Sequence, residues 1–160
     1  NKSDISKKEE NEDFGEDASK DGNDTGDGKM TPALQEFLLN VKKGASIVFI
    51  ASIASWSPSV GNSIYSASKG AIVSFANCLS LELAPRQIRV NCISPAMVWT
   101  NLIMNDGVTE EQLKEDESKY PLKRYGTPED IAELAVYLLS DSSSWMTGSN
   151  VKISGGGKLS

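Results

Sequence analysis

Two runs rich in β-branched residues constrain the fold of this chain more than any other feature. Residues 45–52 read ASIVFIAS and residues 88–94 read IRVNCIS. A strand with one wet face alternates apolar and polar residues, so continuous runs bounded by small residues predict strands covered on both faces, as in a parallel sheet. Between them lie a loop, IASWSPSVGNS, and a helix expected from about Ile64 to Leu83, stopped by Pro85. Parallel strands cannot be joined by a tight turn, so the helix must cross over the sheet and pack on it.

The flanking segments extend the pattern. TPALQEFLLNVKKG has Thr31 and Pro32 at its start, Leu34, Phe37, Leu38 and Val41 at helical spacing, and Lys-Lys-Gly at its end, which predicts a capped amphipathic helix. After Pro95 comes a long irregular stretch, 96–126, holding the acidic helical piece TEEQLKEDESKY and expected to lie over the edge of the sheet. TPEDIAELAVYLLSD is the clearest helix: Thr127 at the N-cap, Pro128 at the first helical position, two acids in the first turn, and Ile131, Leu134, Ala135 and Leu138 on one face. SNVKISGGG closes with a short strand. The order helix, strand, helix, strand, lid, helix, strand predicts an α/β fold with helices on both faces of a parallel sheet. Ligands of such sheets sit at the carboxyl ends of the strands, which here are the loops after Ile50 and Ser94.

Composition narrows the function. Residues 1–29 carry ten Asp/Glu against five Lys, which places most of the net charge of −6 in the first 30 residues and leaves the remainder near neutral. That segment holds three apolar residues, Ile5, Phe14 and Ala18, and is expected to be a disordered acidic tail. No basic stripe suits nucleic acid, and no basic amphipathic helix suits an anionic membrane. The longest apolar run, IVFIA, is far below a membrane span, and Cys78 and Cys92, without CxxC spacing, are expected to be reduced core thiols. A cytoplasmic location fits. The chain has no histidine, which removes imidazole bases, Ser-His-Asp and Cys-His schemes and His-bound metals; no metal site is expected.

A proton-transfer site must then use another group. IYSASKG, residues 64–70, sets Tyr65 and Lys69 four apart, one above the other on a helix face. A phenol exchanges protons poorly at neutral pH, and a neighbouring ammonium favours its ionised form. Ser52 ends the first strand and could hydrogen-bond a substrate oxygen, so a carbonyl between Ser52 and Tyr65 would be polarised and protonated. A hydride carrier would supply the other half of such a reaction. The plainer readings are a chance tyrosine–lysine pair and a serine that caps local backbone.

These residues, in this order, resemble the short-chain dehydrogenases/reductases, whose active site is a serine followed by Tyr-x-x-x-Lys. GASIVFIASIAS is similar to the family's serine strand, YSASKGAIVSFANCLSLELAP to its catalytic helix, IRVNCISPAMVWTNL to its next strand and cofactor loop, and YGTPEDIAELAVYLLSDSSSWMTGSNVKISGG to its C-terminal helix and strand. The resemblance implies that residues 31–160 form the C-terminal part of such a domain, with a Rossmann-like three-layer parallel sheet. It implies Tyr65 as general acid/base, Lys69 as the residue that tunes it and holds the nicotinamide ribose, and Ser52 as the carbonyl-orienting group. It places Pro95, Ala96, Val98 and Thr100 in the loop that meets the cofactor, NADP or NAD, with Val98 bonding the carboxamide through its backbone and Thr100 reaching the pyrophosphate. Thr100 also reads as an ordinary helix N-cap.

The chain departs from the pattern too. No TGxxxGxG turn, NNAG strand or relay asparagine is found in it, so the sheet is expected to be incomplete and to expose an apolar edge. The usual Pro-Gly is Pro95-Ala96, and the usual Asp-Gly-Gly is Ser154-Gly155-Gly156. The substrate segment 104–125 names no substrate; Lys123 and Arg124 read either as a grip on an anionic carrier or as a solvated lid. Two functions remain open. One is a nicotinamide-dependent oxidoreductase acting on a small carbonyl or alcohol substrate, expected to be a homo-oligomer through the helices at 32–43 and 64–83. The other is a truncated, inactive chain that serves as an association module, offering Ile72, Phe75 and Leu79 as an exposed surface.

Overall fold

The computed structural model describes residues 32–57, 59–100, 103 and 109–157. The tail expected at 1–30 and the cap expected at Thr31 lie outside the described residues. The chain divides after Leu38 into two compact units. Of the first, the described part is most of helix α1 (Pro32–Asn40). The second holds everything that bears on function: β1 (Ser46–Ile50), α2 (Ser63–Glu82), β2 (Arg89–Pro95), α3 (Glu110–Lys119), α4 (Pro128–Leu139) and β3 (Asn150–Ile153).

The three strands form a parallel sheet in the order β1-β2-β3, with Ser46 opposite Arg89 and Cys92 opposite Asn150 at the starts of the two registers. Because side chains alternate across a strand, this register sorts the sheet into two faces. Ile47, Phe49, Val90, Cys92 and Ser94 share one. There Phe49 meets Phe75 of α2 edge to face, ring centroids 5.7 Å apart. Ser46, Val48, Ile50, Arg89, Asn91 and Ile93 share the other. On that side Ser46 Oγ donates to the Leu138 carbonyl of α4 at 2.9 Å. Helix, sheet and helix thus make three layers.

The core sits around β2, where Val90, Asn91, Cys92, Ile93 and Ser94 are all buried. Its two polar members are fully engaged, which is what burial demands of them. Asn91 donates to the Met146 carbonyl at 2.8 Å and accepts from the Ser149 amide at 3.1 Å, while Ser94 donates to Asn150 at 2.9 Å. Arg89, at the start of the strand, donates to the carbonyls of Leu138 and Ser140, both at 2.9 Å, satisfying the open C-terminus of α4 with a cation where the helix dipole favours one.

Five sequence expectations change. β1 is half-buried rather than covered on both faces, because it is an edge strand of the described sheet; Ile50 is 47% exposed. Leu79 is buried, not exposed: with Ala76 and Leu83 it forms the stripe of α2 that meets the sheet. Cys78, one position earlier on the helix, is turned outward and exposed, whereas Cys92 is buried; neither forms a disulfide. α1 ends at Asn40, three residues before the expected boundary, and α2 begins one residue early.

Candidate active site

Ser52 stands two residues beyond β1 with an extended backbone (φ −165°, ψ 154°) and caps a 3-10 turn, Ile53–Ser55. Its Oγ accepts the Ala54 amide at 3.2 Å, and Ser55 Oγ donates to its carbonyl at 2.7 Å. The local-cap reading of Ser52 is therefore real. It is compatible with chemistry, because a hydroxyl that accepts from an amide still has its own hydrogen to donate.

Tyr65 is the third residue of α2 and 49% exposed. One turn on, Lys69 Nζ lies 5.8 Å from the centroid of the Tyr65 ring, within cation–π reach, and donates to the Ile50 carbonyl at 3.2 Å. Lys69 thereby ties the first turns of α2 to the last residue of β1. Tyr65 and Lys69 are thereby held near the carboxyl end of β1, whose last residue precedes Ser52 by two in the chain.

The loop after β2 begins as a continuation of the sheet: Pro95 lies opposite Ile153, and the Ala96 amide donates to the Ile153 carbonyl at 2.9 Å. These contacts tie the start of the loop to β3. Val98 then makes an isolated parallel bridge with Gly126: the Gly126 amide donates to the Met97 carbonyl at 3.0 Å and the Trp99 amide to the Gly126 carbonyl at 2.9 Å. Backbone groups alternate sides along an extended chain, so the N–H and C=O of Val98 itself point away from Gly126. That is one donor and one acceptor side by side, the complement of a carboxamide. Thr100 is exposed, and its carbonyl accepts the Ile103 amide at 3.1 Å, the turn expected of a helix start.

Several contacts here were not read from the sequence. Trp56 reaches across the α2 face of the sheet to β3, where Lys152 Nζ sits 4.0 Å from its ring centroid. Glu117 of α3 accepts the Trp99 indole N–H at 2.7 Å and the Tyr125 amide at 3.1 Å, and Asp116 accepts the Tyr125 hydroxyl at 2.7 Å. Burial, then the bond to Asp116, pushes the buried Tyr125 phenol well above its ordinary range. The signal was present: Leu113, Asp116, Glu117 and Tyr120 are spaced as one helix face. Arg124 is held by Asp130 in a two-pronged pair and by the Tyr125 carbonyl, and Lys123 donates to the Ser118 carbonyl at 2.7 Å. Both cations thus have partners within the protein, Asp130 of α4 for Arg124 and Ser118 of α3 for Lys123. A small apolar groove between Met97, Ile131 and Ile153 lies on the α4 side of the sheet, away from Tyr65.

Comparison with known proteins bears on the family and the fold. The model of a family described as enoyl-(acyl carrier protein) reductase matches residues 28–158. The chain is 40% identical over 116 residues to human dehydrogenase/reductase SDR family member 4, covering 71% of this chain and 41% of that protein. It is equally identical, over the same length, to a 3-oxoacyl-[acyl-carrier-protein] reductase of Chlamydia pneumoniae, covering 45% of it. A solved short chain dehydrogenase family protein from Francisella tularensis superimposes with a TM-score of 0.70 at 41% identity, covering 78% of this chain and 55% of that one. The chain spans less than half the length of the curated relatives it matches.

Proposed function

The chain belongs to the short-chain dehydrogenase/reductase family, and from that membership we propose that it carries the proton-transfer part of a nicotinamide-dependent oxidoreductase acting on a ketone or secondary alcohol. The observation that supports this reading is the bond from Lys69, which lies beside the Tyr65 ring, to the Ile50 carbonyl, two residues before Ser52. Ser52 donates to the substrate oxygen and fixes its direction. Tyr65 gives that oxygen its proton, or takes it back in the reverse direction. Lys69, an ammonium beside the ring, stabilises the negative charge left on the phenol.

The paired N–H and C=O of Val98 suit a nicotinamide carboxamide, Lys69 the ribose hydroxyls and Thr100 a phosphate oxygen. Bound there, NADP or NAD supplies the hydride that the chain's own residues cannot. Residues of the relatives' other half, beyond the span matched here, would complete the cradle. The reading extends to a homo-oligomer and a cytoplasmic setting. The outward face of α2, where Ile64 and Leu81 are 86% and 77% exposed, supports the first. No helix among the described residues is long and apolar enough to cross a membrane.

Titration of the chain with NADH and with NADPH, followed by energy transfer from tryptophan, tests the proposal. Saturable binding to at least one nucleotide, weakened on the order of tenfold by Lys69→Ala, is expected. Lack of saturable signal with both would leave an association module as the better account. That second reading is favoured by one observation, the apolar edge of β1.

A further inference from the structure

Helix α3 is acidic almost throughout, and most of its acids face solvent. Glu110, Glu111 and Glu115 are exposed, as a solvated lid requires. Asp116 and Glu117 are half-buried and share the inward face with buried Leu113. Glu117 bonds the segment below through Oε1, and Asp116 divides its carboxylate between the Tyr125 hydroxyl and Lys119. Turning two carboxylates toward protein costs hydration, so the bonds they make there need a physical purpose.

We propose that Glu117 is a positioning residue for the Val98–Thr100 segment. A single carboxylate oxygen, Oε1, accepts both the Trp99 indole and the Tyr125 amide, so α3, the loop after β2 and the strand-like stretch before α4 are pinned at one atom. The rings reinforce the pin: Trp99 and Tyr120 each lie 5.4 Å from Tyr125, centroid to centroid. Trp99 stands between Val98, whose backbone groups point away from Gly126, and Thr100. Fixing its indole fixes the direction of both neighbours, which is the geometry a loop must hold to present a backbone donor and acceptor together. The role of the segment as the cofactor-facing one rests on the function proposed above; the pin itself does not.

The test uses the 160-residue chain unsubstituted and as Glu117→Ala, Glu117→Gln, Trp99→Phe and, as a surface control, Glu115→Ala. Hydrogen exchange of the amides at 97–100 is compared with that of β2, and nucleotide affinity is measured alongside. Glu117→Ala and Trp99→Phe are expected to speed exchange at 97–100 with β2 unchanged. Glu117→Gln, which keeps an acceptor oxygen, is expected to restore most of the protection. Where turnover is measured, KM for the nucleotide rises on the order of tenfold with kcat nearly unchanged. Exchange at 97–100 that responds to Glu117→Ala no more than to Glu115→Ala overturns the proposal. Failure of the unsubstituted chain to bind nucleotide overturns the cofactor reading instead, and the exchange comparison still decides whether the pin exists.

Discussion

The hydroxyl of Ser52 closes a turn, the proposed reaction gives it a second role as donor to the substrate oxygen, and the two roles separate experimentally. Ser52→Ala removes the acceptor for the Ala54 amide, costing about 1 kcal/mol of stability as lost caps do. It also removes a donor to the substrate oxygen, for which a fall in turnover on the order of a hundredfold is expected. Urea unfolding and steady-state rates on one preparation check both, and a stability loss without a rate loss would leave Ser52 as a cap alone. Cys92 makes a pH prediction. Burial pushes its thiol up from an ordinary 9.0 to about 11, so the folded state keeps a proton that the unfolded state releases. The stabilisation is complete below pH 9.0 and is lost as pH rises toward about 11. Tyr120 and Tyr125, raised chiefly by burial, act in the same direction. Cys92→Ala should flatten that alkaline decline, measured by urea midpoints; an unchanged slope would contradict it. The Tyr65–Lys69 pairing was legible because i,i+4 spacing stacks the two on one helix face, whereas Ser52 read either as a cap or as a donor to substrate. Glu117 was not, because a carboxylate on an acidic helix reads as solvated until its face is known.

Helix α4 shows how far local sequence reaches. Thr127 Oγ1 accepts the Asp130 amide at 3.3 Å while Asp130 accepts the Thr127 amide at 2.7 Å, a reciprocal capping box already visible in TPED. Arg124 bonded to Asp130 holds that carboxyl well below the usual carboxylate range, so the cap survives mild acid. Thr127→Ala is expected to lower stability by about 1 kcal/mol in urea unfolding. On α2 the helix itself was evident, but its rotation was not. Ile72–Phe75–Leu79 and Ala76–Leu79–Leu83 are both apolar stripes at helical spacing; the second is the one fully buried, while Phe75 meets Phe49 of the sheet yet stays partly exposed. Leu79→Ala should therefore cost about 2–5 kcal/mol, a core value, where an exposed position would cost little. The run SIVFI misled in the same way: burial on both faces and position at an edge give the same letters, and only the pairing of β1 with a single neighbour distinguishes them.

The unit that begins at Leu39 is a three-layer α/β arrangement whose outer strand, β1, keeps backbone groups and Ile50 on an open edge among the described residues. Such an edge pairs readily with another strand. Sedimentation should show self-association that grows with concentration and is reduced by Ile50→Lys; a monomer throughout would contradict this. The same strand ends at Ile50, whose carbonyl accepts from Lys69, so the proposed association and the proposed activity draw on one part of the surface. The central claim is that this chain supplies the proton in a nicotinamide-dependent reduction, and the most direct measurement is ketone-dependent oxidation of NADPH or NADH by the chain beside Tyr65→Phe. The account predicts a rate that falls about 10²–10⁴-fold in Tyr65→Phe with nucleotide affinity retained; equal rates in the two, including none in either, would contradict it.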